Sequence, residues 1–371
     1  MAIKPSKIII VMALLTLAGC NNTSTTTSAP THHSRSSRLA IQPKQAEVLG
    51  YVIAWAQNLK LPTNQSITEI TCLDEYLFLV EQPTSVISAI SLSDGRLLWQ
   101  KVVGEKGEQI FQPFTFEHMV CVNSEVQMYQ IDIHTGKLTY AFKLHAPVAS
   151  QPLLIGNKVI YGGISGNVFA QNIQTGMLEW SYQLTNRIHT APVQHHNSVF
   201  AADGNGVYAL INAQTGEMIW RNHTYGPIVC SAMVDNNTVY IASQDQSLYA
   251  INLKSGSDDW IFKTTFPLTI SPSIIGEILY MNVPKQNLLY AVNRGNGTEI
   301  WHRQNIGQPI TLVDNQLLLA RQSSLVLAGP DSGRMIMETP TSKLHKVLAM
   351  TNNSLILITP QGQLIRLNPK Q

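Results

Sequence analysis

The sequence predicts an all-β fold, an eight-bladed β-propeller with four-stranded blades, because one phrase recurs along the chain. The phrase is an aromatic or small residue, Ala, an aliphatic residue and Asn, then a Gly, then a Trp four residues later, as from Tyr208 through Gly216 to Trp220. The glycine recurs at intervals of 41, 40, 40, 40, 41 and 36 residues, at Gly95, Gly136, Gly176, Gly216, Gly256, Gly297 and Gly333. All six tryptophans share this register: Trp55, Trp99, Trp180, Trp220, Trp260 and Trp301. A period of about 40 residues is typical of one propeller blade.

Each repeat contains signals for four short strands in order. A turn with Pro or Ser, such as Ala191-Pro192, comes before the inner strand. An alternating run such as 238–242 predicts the second strand, and the Tyr-Ala-Ile run at 249–251 predicts the third. The Thr-Gly or Ser-Gly pair supplies the hairpin glycine before the outer strand, which carries the Trp. No segment after residue 45 has a helical period of useful length.

The two ends of the repeat region predict how the ring closes. The outer-strand position recurs eight times, at Trp55, Trp99, Tyr140, Trp180, Trp220, Trp260, Trp301 and Met337. The last repeat, at 362–368, stops after its third strand, whereas Trp55 to Leu59 is an outer strand with no repeat before it. We therefore predict that the N-terminal strand pairs into the last blade and closes one ring.

Composition excludes several classes of protein. The chain has 371 residues, with 25 Lys and Arg against 23 Asp and Glu, a net charge of +2 and a hydrophobic content of 44%. A charged content of 13% is low for a coiled coil or a nucleic-acid-binding protein. We therefore expect no nucleic-acid partner.

The N-terminus has the pattern of a secretory signal. Lys4 and Lys7 precede a short apolar run that ends at Leu17, and small residues follow up to Cys20. Leu17-Ala18-Gly19-Cys20 resembles the bacterial lipobox, which implies that Cys20 is lipidated; the alternative is a plain signal peptide with an incidental cysteine. Asn21 stands where the inner-membrane retention signal has aspartate, so the resemblance implies an anchor in the outer membrane, on its periplasmic face.

These features predict a domain organisation of three parts. Residues 1–19 are a lipoprotein signal peptide, residues 20–44 are the lipidated cysteine and a flexible Ser/Thr-rich tether, and residues 45–371 are the propeller. The tether prediction rests on a composition with almost no residues able to bury apolar surface.

The phrase Ala-Leu-Asn-x-x-Thr-Gly-x-x-x-Trp resembles the repeat of quinoprotein dehydrogenases and their non-catalytic relatives. In that family the tryptophans dock between neighbouring blades, so the resemblance implies a structural role for the six tryptophans. The dehydrogenases carry adjacent cysteines or cationic residues, calcium-binding carboxylates and a catalytic aspartate, and neither adjacent cysteines nor an acidic cluster occurs here. The lipobox, the tether, the length and the closing strand instead resemble the BamB-type lipoproteins of the outer-membrane β-barrel assembly (Bam) machine.

This second resemblance implies a function and a partner surface. BamB-type proteins are non-catalytic scaffolds that use loops on one face to hold the POTRA domains of the barrel-assembly protein, near which nascent outer-membrane proteins also gather. Leu184, Arg187 and Ala191-Pro192 match the family's contact loop, and the resemblance implies Leu184, Arg187 and the adjacent Ile188 as partner-binding residues. The family's second contact, an aspartate pair one blade later, is absent, because this chain has Ile228-Val229-Cys230 there.

Other candidate sites are weaker. The pattern places Cys72, Cys121 and Cys230 in different strands, so we expect no disulfide among them. His195-His196 has no carboxylates nearby in the sequence, and Asp203-Gly204-Asn205-Gly206 stands where a hairpin turn is due, so neither predicts a metal site. We expect no catalytic residue, metal or cofactor. The alternatives that stay open are a periplasmic quinoprotein dehydrogenase that uses pyrroloquinoline quinone and a glycan-binding propeller.

Overall fold

A computed structural model describes residues 39–59, 61 and 65–370. Its strands form eight four-stranded antiparallel sheets, which are the blades of one propeller, and this confirms the predicted fold. The predicted signal peptide, Cys20 and the tether up to residue 38 lie outside the described residues. In the described part of the chain, no helix has the length and apolar character needed to cross a membrane.

The strand bounds follow the repeat, with inner, second, third and outer strands in chain order. Blade 1 contains β2 (Ser66–Leu73), β3 (Tyr76–Gln82), β4 (Val86–Ser91) and β5 (Leu97–Val102). Blade 2 contains β6 (Phe114–Phe116), β7 (Met119–Asn123), β8 (Gln127–Asp132) and β9 (Leu138–Lys143). Blade 3 contains β10 (Leu153–Ile155), β11 (Lys158–Gly162), β12 (Asn167–Asn172) and β13 (Leu178–Gln183). Blade 4 contains β14 (Val193–His195), β15 (Ser198–Ala202), β16 (Val207–Asn212) and β17 (Met218–His223).

The second half of the ring has the same order. Blade 5 contains β18 (Met233–Asp235), β19 (Thr238–Ser243), β20 (Ser247–Asn252) and β21 (Asp258–Lys263). Blade 6 contains β22 (Ser273–Ile275), β23 (Ile278–Val283), β24 (Leu288–Asn293) and β25 (Glu299–Gln304), with a short 3-10 helix at Pro284–Gln286. Blade 7 contains β26 (Gln308–Val313), β27 (Gln316–Ala320), β28 (Ser324–Ala328) and β29 (Met335–Pro340).

Blade 8 closes the ring with strands from both ends of the chain. It contains β30 (Lys346–Ala349), β31 (Leu355–Ile358) and β32 (Gln363–Pro369), and its outer strand is β1 (Tyr51–Asn58). The β1 strand pairs antiparallel with β32, from Tyr51 opposite Pro369 to Asn58 opposite Gln363. The N-terminal strand therefore completes the last blade, as the two unmatched ends of the repeat predict.

Each tryptophan joins its own blade to the next one. The indole Nε1 groups donate hydrogen bonds of 2.6–3.1 Å to backbone carbonyls of the following blade, at Leu92, Ile133, Ala213, Leu253, Arg294 and Pro330. Each indole ring packs against the repeat glycine of the following blade, where an added Cβ would come within 2.5–2.8 Å of the indole. The repeat therefore needs both residues, because the glycine leaves the space that the indole fills.

Two outer strands lack the tryptophan, and other side chains pack between the blades there. In blade 2, Phe142 rather than Tyr140 lies under Gly176, and an added Cβ there would meet the Phe142 ring at 2.9 Å. In blade 7, Met337 packs against a core cluster to which the segment before β1 contributes. That segment, residues 39–49, fills the seam between blades 7 and 8.

The seam segment begins earlier than the predicted propeller boundary. Ala40 and Ile41 are 3% and 0% exposed, and the backbone of Ala40 bonds Gln363 and Ser342. A helix, α1 (Pro43–Val48), follows, with Pro at its first position. Gln45 Oε1 accepts a hydrogen bond from the backbone N–H of Gln42 at 2.7 Å. The boundary at residue 45 is therefore too late, because Leu39 to Lys44 belong to the folded body rather than to the tether.

Candidate functional site

The linker between blades 3 and 4, residues 184–192, lies on the same face as the turns between second and third strands. Its backbone is hydrogen-bonded to two of those turns. Leu184 N donates to Gly166 O at 2.8 Å, and Ile188 N donates to Gly163 O at 3.3 Å, both in the turn of blade 3. Gly204 N, in the turn of blade 4, donates to Arg187 O at 3.0 Å. We call this side of the ring the linker face.

Asp203 holds the linker in place. Its Oδ2 accepts hydrogen bonds from Thr185 N, Thr185 Oγ1 and Asn186 N at 2.8, 2.6 and 2.9 Å. Its Oδ1 accepts from Asn205 N at 2.9 Å and from Val207 N at 3.0 Å. The side chain is fully buried, and these five donors satisfy a carboxylate that would otherwise be costly to bury. The Asp-Gly-Asn-Gly segment is therefore a turn that fixes the neighbouring linker.

Two of the three predicted contact residues face inward. Leu184 is 3% exposed and Ile188 is fully buried, and both belong to the core cluster shared by blades 3 and 4. A Cβ added to Gly162 would overlap the Ile188 side chain, so the glycine makes room for it. Their side chains do not reach a partner at the surface, and their role here is to anchor the linker.

Arg187 is the predicted contact residue that is exposed. In the 40-residue register it stands where the neighbouring blades have Pro147, Pro227 and Pro267, so the repeat itself does not require an arginine. Among the described residues no carboxylate pairs with its guanidinium. Burial lowers the pKa of the nearby His189, and the Arg187 cation lowers it further. Arg187 is thus an unpaired cation on a rigid linker.

Sequence reasoning missed an exposed aromatic residue on the next linker. Tyr225 is 86% exposed, and its backbone N donates to Asp245 Oδ2 at 2.9 Å. Asp245 also accepts a 2.6 Å hydrogen bond from the Tyr249 hydroxyl, and burial together with this bond raises the pKa of Tyr249 to about 12. The neighbouring blade has Thr265 at the position of Tyr225, so comparing linkers in the repeat register is the signal that finds this residue.

Asp203 and Asp245, the acidic residues of the turns next to Arg187 and Tyr225, do not replace the family's aspartate pair. Asp203 is fully buried and all its bonds are internal, so it offers nothing to a partner. Asp245 is partly buried, and its Oδ2 is occupied by Tyr225 and Tyr249. Neither of these two turns therefore supplies the acidic pair that the resemblance implies.

The remaining candidate residues are dispersed. Cys72 lies in β2 and Cys121 in β7, whereas Cys230 lies in the linker before β18 rather than in a strand. All three are free thiols, and burial raises the pKa of Cys121 to about 12. The rings of His195 and His196 contact each other in an edge-to-face arrangement at the turn between β14 and β15, on the side opposite the linker face. Within the described ranges, no three His, Cys, Asp or Glu side chains are grouped so that they could hold a metal ion.

The ring of four-stranded blades, six of which are joined to the next blade by a tryptophan that packs against a glycine, defines an eight-bladed propeller of the PQQ-like repeat class. A family model described as outer membrane protein assembly factor BamB matches residues 52–262, more than half of the chain, and the chain belongs to this family. No curated protein matches the chain in sequence.

Solved structures share the fold at low sequence identity. BamB from Moraxella catarrhalis is 15% identical with a TM-score of 0.69, over 86% of this chain and 99% of that one. The computationally designed Ika8 protein is 13% identical with a TM-score of 0.68, over 85% and 99%. The quinohemoprotein alcohol dehydrogenase ADHIIG from Pseudomonas putida HK5 is 12% identical with a TM-score of 0.65, over 86% and 76%. A BamB protein, a designed protein and an alcohol dehydrogenase thus share the architecture, which alone does not decide function.

Proposed function

We propose that this protein is a non-catalytic scaffold lipoprotein of the outer-membrane β-barrel assembly machine. Membership of the BamB family is the observation that carries the proposal. In this proposal Cys20 anchors the chain to the outer membrane, and the propeller lies on the periplasmic side. It assists the insertion of β-barrel proteins by holding the POTRA domains of the barrel-assembly protein.

Arg187 is the residue that we propose contacts the partner. A loop held on a rigid scaffold is a common place for binding residues. A guanidinium without an internal partner keeps its planar set of donors free for a carboxylate or a carbonyl, and arginine is enriched among the residues that dominate interface energies. Tyr225, on the next linker, adds an exposed aromatic side chain to the same face.

Co-purification tests the proposal. The lipidated, tagged protein is purified from gently solubilised outer membranes, and the recovered proteins are identified by mass spectrometry. We expect recovery of the barrel-assembly protein. Recovery of the propeller alone, from membranes in which the assembly machine is intact, would contradict the scaffold role.

A charge reversal tests the contact residue. Arg187→Glu is expected to weaken binding to the isolated POTRA domains by at least about tenfold, because it replaces an anchoring cation by an anion. Arg221→Glu is the matched control, since Arg221 is also exposed but lies on the outer strand β17. Equal binding by both variants would remove Arg187 from the interface.

For the alternative, enzymatic function, the described part of the chain offers no group of carboxylates that could hold a calcium ion. The dehydrogenase resemblance implies pyrroloquinoline quinone with a calcium ion. Calcium prefers six to eight oxygen ligands, usually including carboxylates, and the described residues form no suitable acidic group. Adding the quinone and calcium to the purified protein is expected to produce no bound-cofactor absorbance. A stoichiometric absorbance change would favour the dehydrogenase.

A further inference from the structure

A cavity of about 810 Å³ opens on the linker face over blades 6 to 8. Its walls are the linkers and first residues of β26 and β30, the short 3-10 helix of blade 6, and the turn between β27 and β28. The cavity therefore lies across the ring from Arg187, which is between blades 3 and 4. Its volume is within the range of about 300–1,000 Å³ that is usual for small-molecule sites.

The charged groups of the wall are all basic. Arg321 and Lys346 line the cavity together with His345, and no Asp or Glu does. Lys346 is exposed and forms no ion pair with a described residue, although Glu69 interacts with it electrostatically. The cavity thus presents positive charge on a protein whose total charge is close to zero.

Arg321 is held in position by an acidic residue behind the wall. Its Nη1 bonds Glu338 Oε1 at 2.8 Å, and the same oxygen accepts a hydrogen bond from Ser324 Oγ at 2.6 Å. The hydrogen bond from the Ser324 hydroxyl lowers the pKa of Glu338 most, and Arg321 lowers it further. Glu338 therefore stays ionised beside the Arg321 cation. The other terminal nitrogen, Nη2, has no hydrogen-bond partner among the described residues, so a ligand can use it as a donor.

Five amide side chains surround these cations without any hydrogen bond to the described protein atoms: Asn282, Asn287, Asn305, Gln308 and Gln322. Amides elsewhere in the repeat behave differently. The side chains of Asn212 and Asn252, for example, each accept hydrogen bonds from the backbone of the turn that follows. Asn287 and Asn305 have positive φ angles of 50° and 54°, a backbone conformation that favours Asn. Asn282, Gln308 and Gln322 have no such backbone reason, and each of the five amides offers both a donor and an acceptor.

His345 completes the wall between blades 8 and 1. Its Nε2 donates to the carbonyl of Ile67 at 3.0 Å, which fixes the orientation of the ring. In the neutral ring this leaves Nδ1 as an acceptor, which suits an amide N–H or a hydroxyl.

We propose that this cavity binds a small ligand that carries a carboxylate beside amide or hydroxyl groups. Lys346 and Arg321 Nη2 bind the carboxylate, and the free amides and His345 bind the polar groups next to it. This chemistry occurs in an acidic N-acetyl sugar and in the carboxyl end of a short peptide. The site is independent of the contact proposed for Arg187.

Calorimetric titration of the full-length purified protein tests the site with two matched pairs of probes. N-acetylmuramic acid is compared with N-acetylglucosamine, which lacks its carboxylate. N-acetyl-alanyl-alanine is compared with its C-terminal amide. We expect at least one carboxylate probe to bind with a millimolar or lower dissociation constant, and its neutral counterpart to bind at least about tenfold more weakly. Which carboxylate binds identifies the source, a sugar or a peptide.

Two variants locate the binding. Lys346→Gln is expected to weaken binding of the carboxylate probe by about tenfold, because it removes a charge-assisted hydrogen bond. Lys343→Gln is the matched control, since Lys343 is exposed on the same linker but does not line the cavity. The proposal is overturned if no probe binds, if the neutral probes bind equally well, or if Lys346→Gln binds like the control.

Discussion

Arg187 illustrates what a single residue reveals in the sequence and what it does not. Its position in a motif and its departure from the proline of neighbouring repeats are both visible in the sequence. The inward direction of Leu184 and Ile188 is not, because the linker has no strand period from which a face can be assigned. The role of Asp203 is equally hidden, since its five donors come from two segments of the chain that meet only in the folded ring.

Asp203→Asn is expected to destabilise the protein by about 1–3 kcal/mol, because the new NH₂ group must face N–H donors whichever way the amide is turned. Denaturant unfolding measures this loss. Binding to the POTRA domains is expected to weaken as well, because the linker that carries Arg187 loses its support. Asp331→Asn, at an exposed turn of blade 7, is the control. A variant with unchanged stability and binding would show that Asp203 does not hold the linker.

At the scale of elements, the strands were predictable and the N-terminal helix was not. Each strand has an alternating pattern and a turn signal that recur seven or more times in the chain, so errors in one copy are corrected by the others. The α1 helix has six residues, occurs once and buries only Ala46, which is too little for a periodic pattern. Its place in the seam depends on blades 7 and 8, which are distant in sequence.

Ile41→Ala is expected to lower the free energy of unfolding by about 2–5 kcal/mol, as is usual when a fully buried aliphatic side chain is truncated. Val48→Ala, in the same segment, is expected to change it by less than about 0.5 kcal/mol because Val48 is 55% exposed. Denaturant unfolding of both variants makes the comparison. Equal small losses would mean that the seam segment contributes little to stability.

At the scale of the whole molecule, the sequence predicted both the number of blades and the way in which the ring closes. Counting outer-strand positions was sufficient because a propeller has one such position per blade. The cavity over blades 6 to 8 was not predictable, since its lining residues come from three repeats and share no motif. The repeat therefore predicts the fold, whereas the candidate sites lie where the sequence departs from the repeat.

Truncation at the N-terminus tests the closure. A chain that begins at residue 39 keeps the whole folded body and is expected to unfold within a few degrees of the longer chain. A chain that begins at residue 59 lacks β1, and the unpaired edge of β32 is expected to cause aggregation. Light scattering after size-exclusion chromatography distinguishes the two. A monomeric, equally stable shorter chain would show that β1 is dispensable.

The pairing of β1 with β32 also means that the ring can close only after both strands have been synthesised. These strands are more than 300 residues apart, so a chain interrupted during synthesis leaves its first strand without a neighbour, whatever else has folded. Closing so long a loop adds little to the free-energy cost, because the entropic cost grows only with the logarithm of loop length, but it cannot begin before β32 has been synthesised. A chain without β32 therefore leaves β1 and β31 each with an unpaired sheet edge, a feature that favours pairing with other chains and is absent from the closed ring.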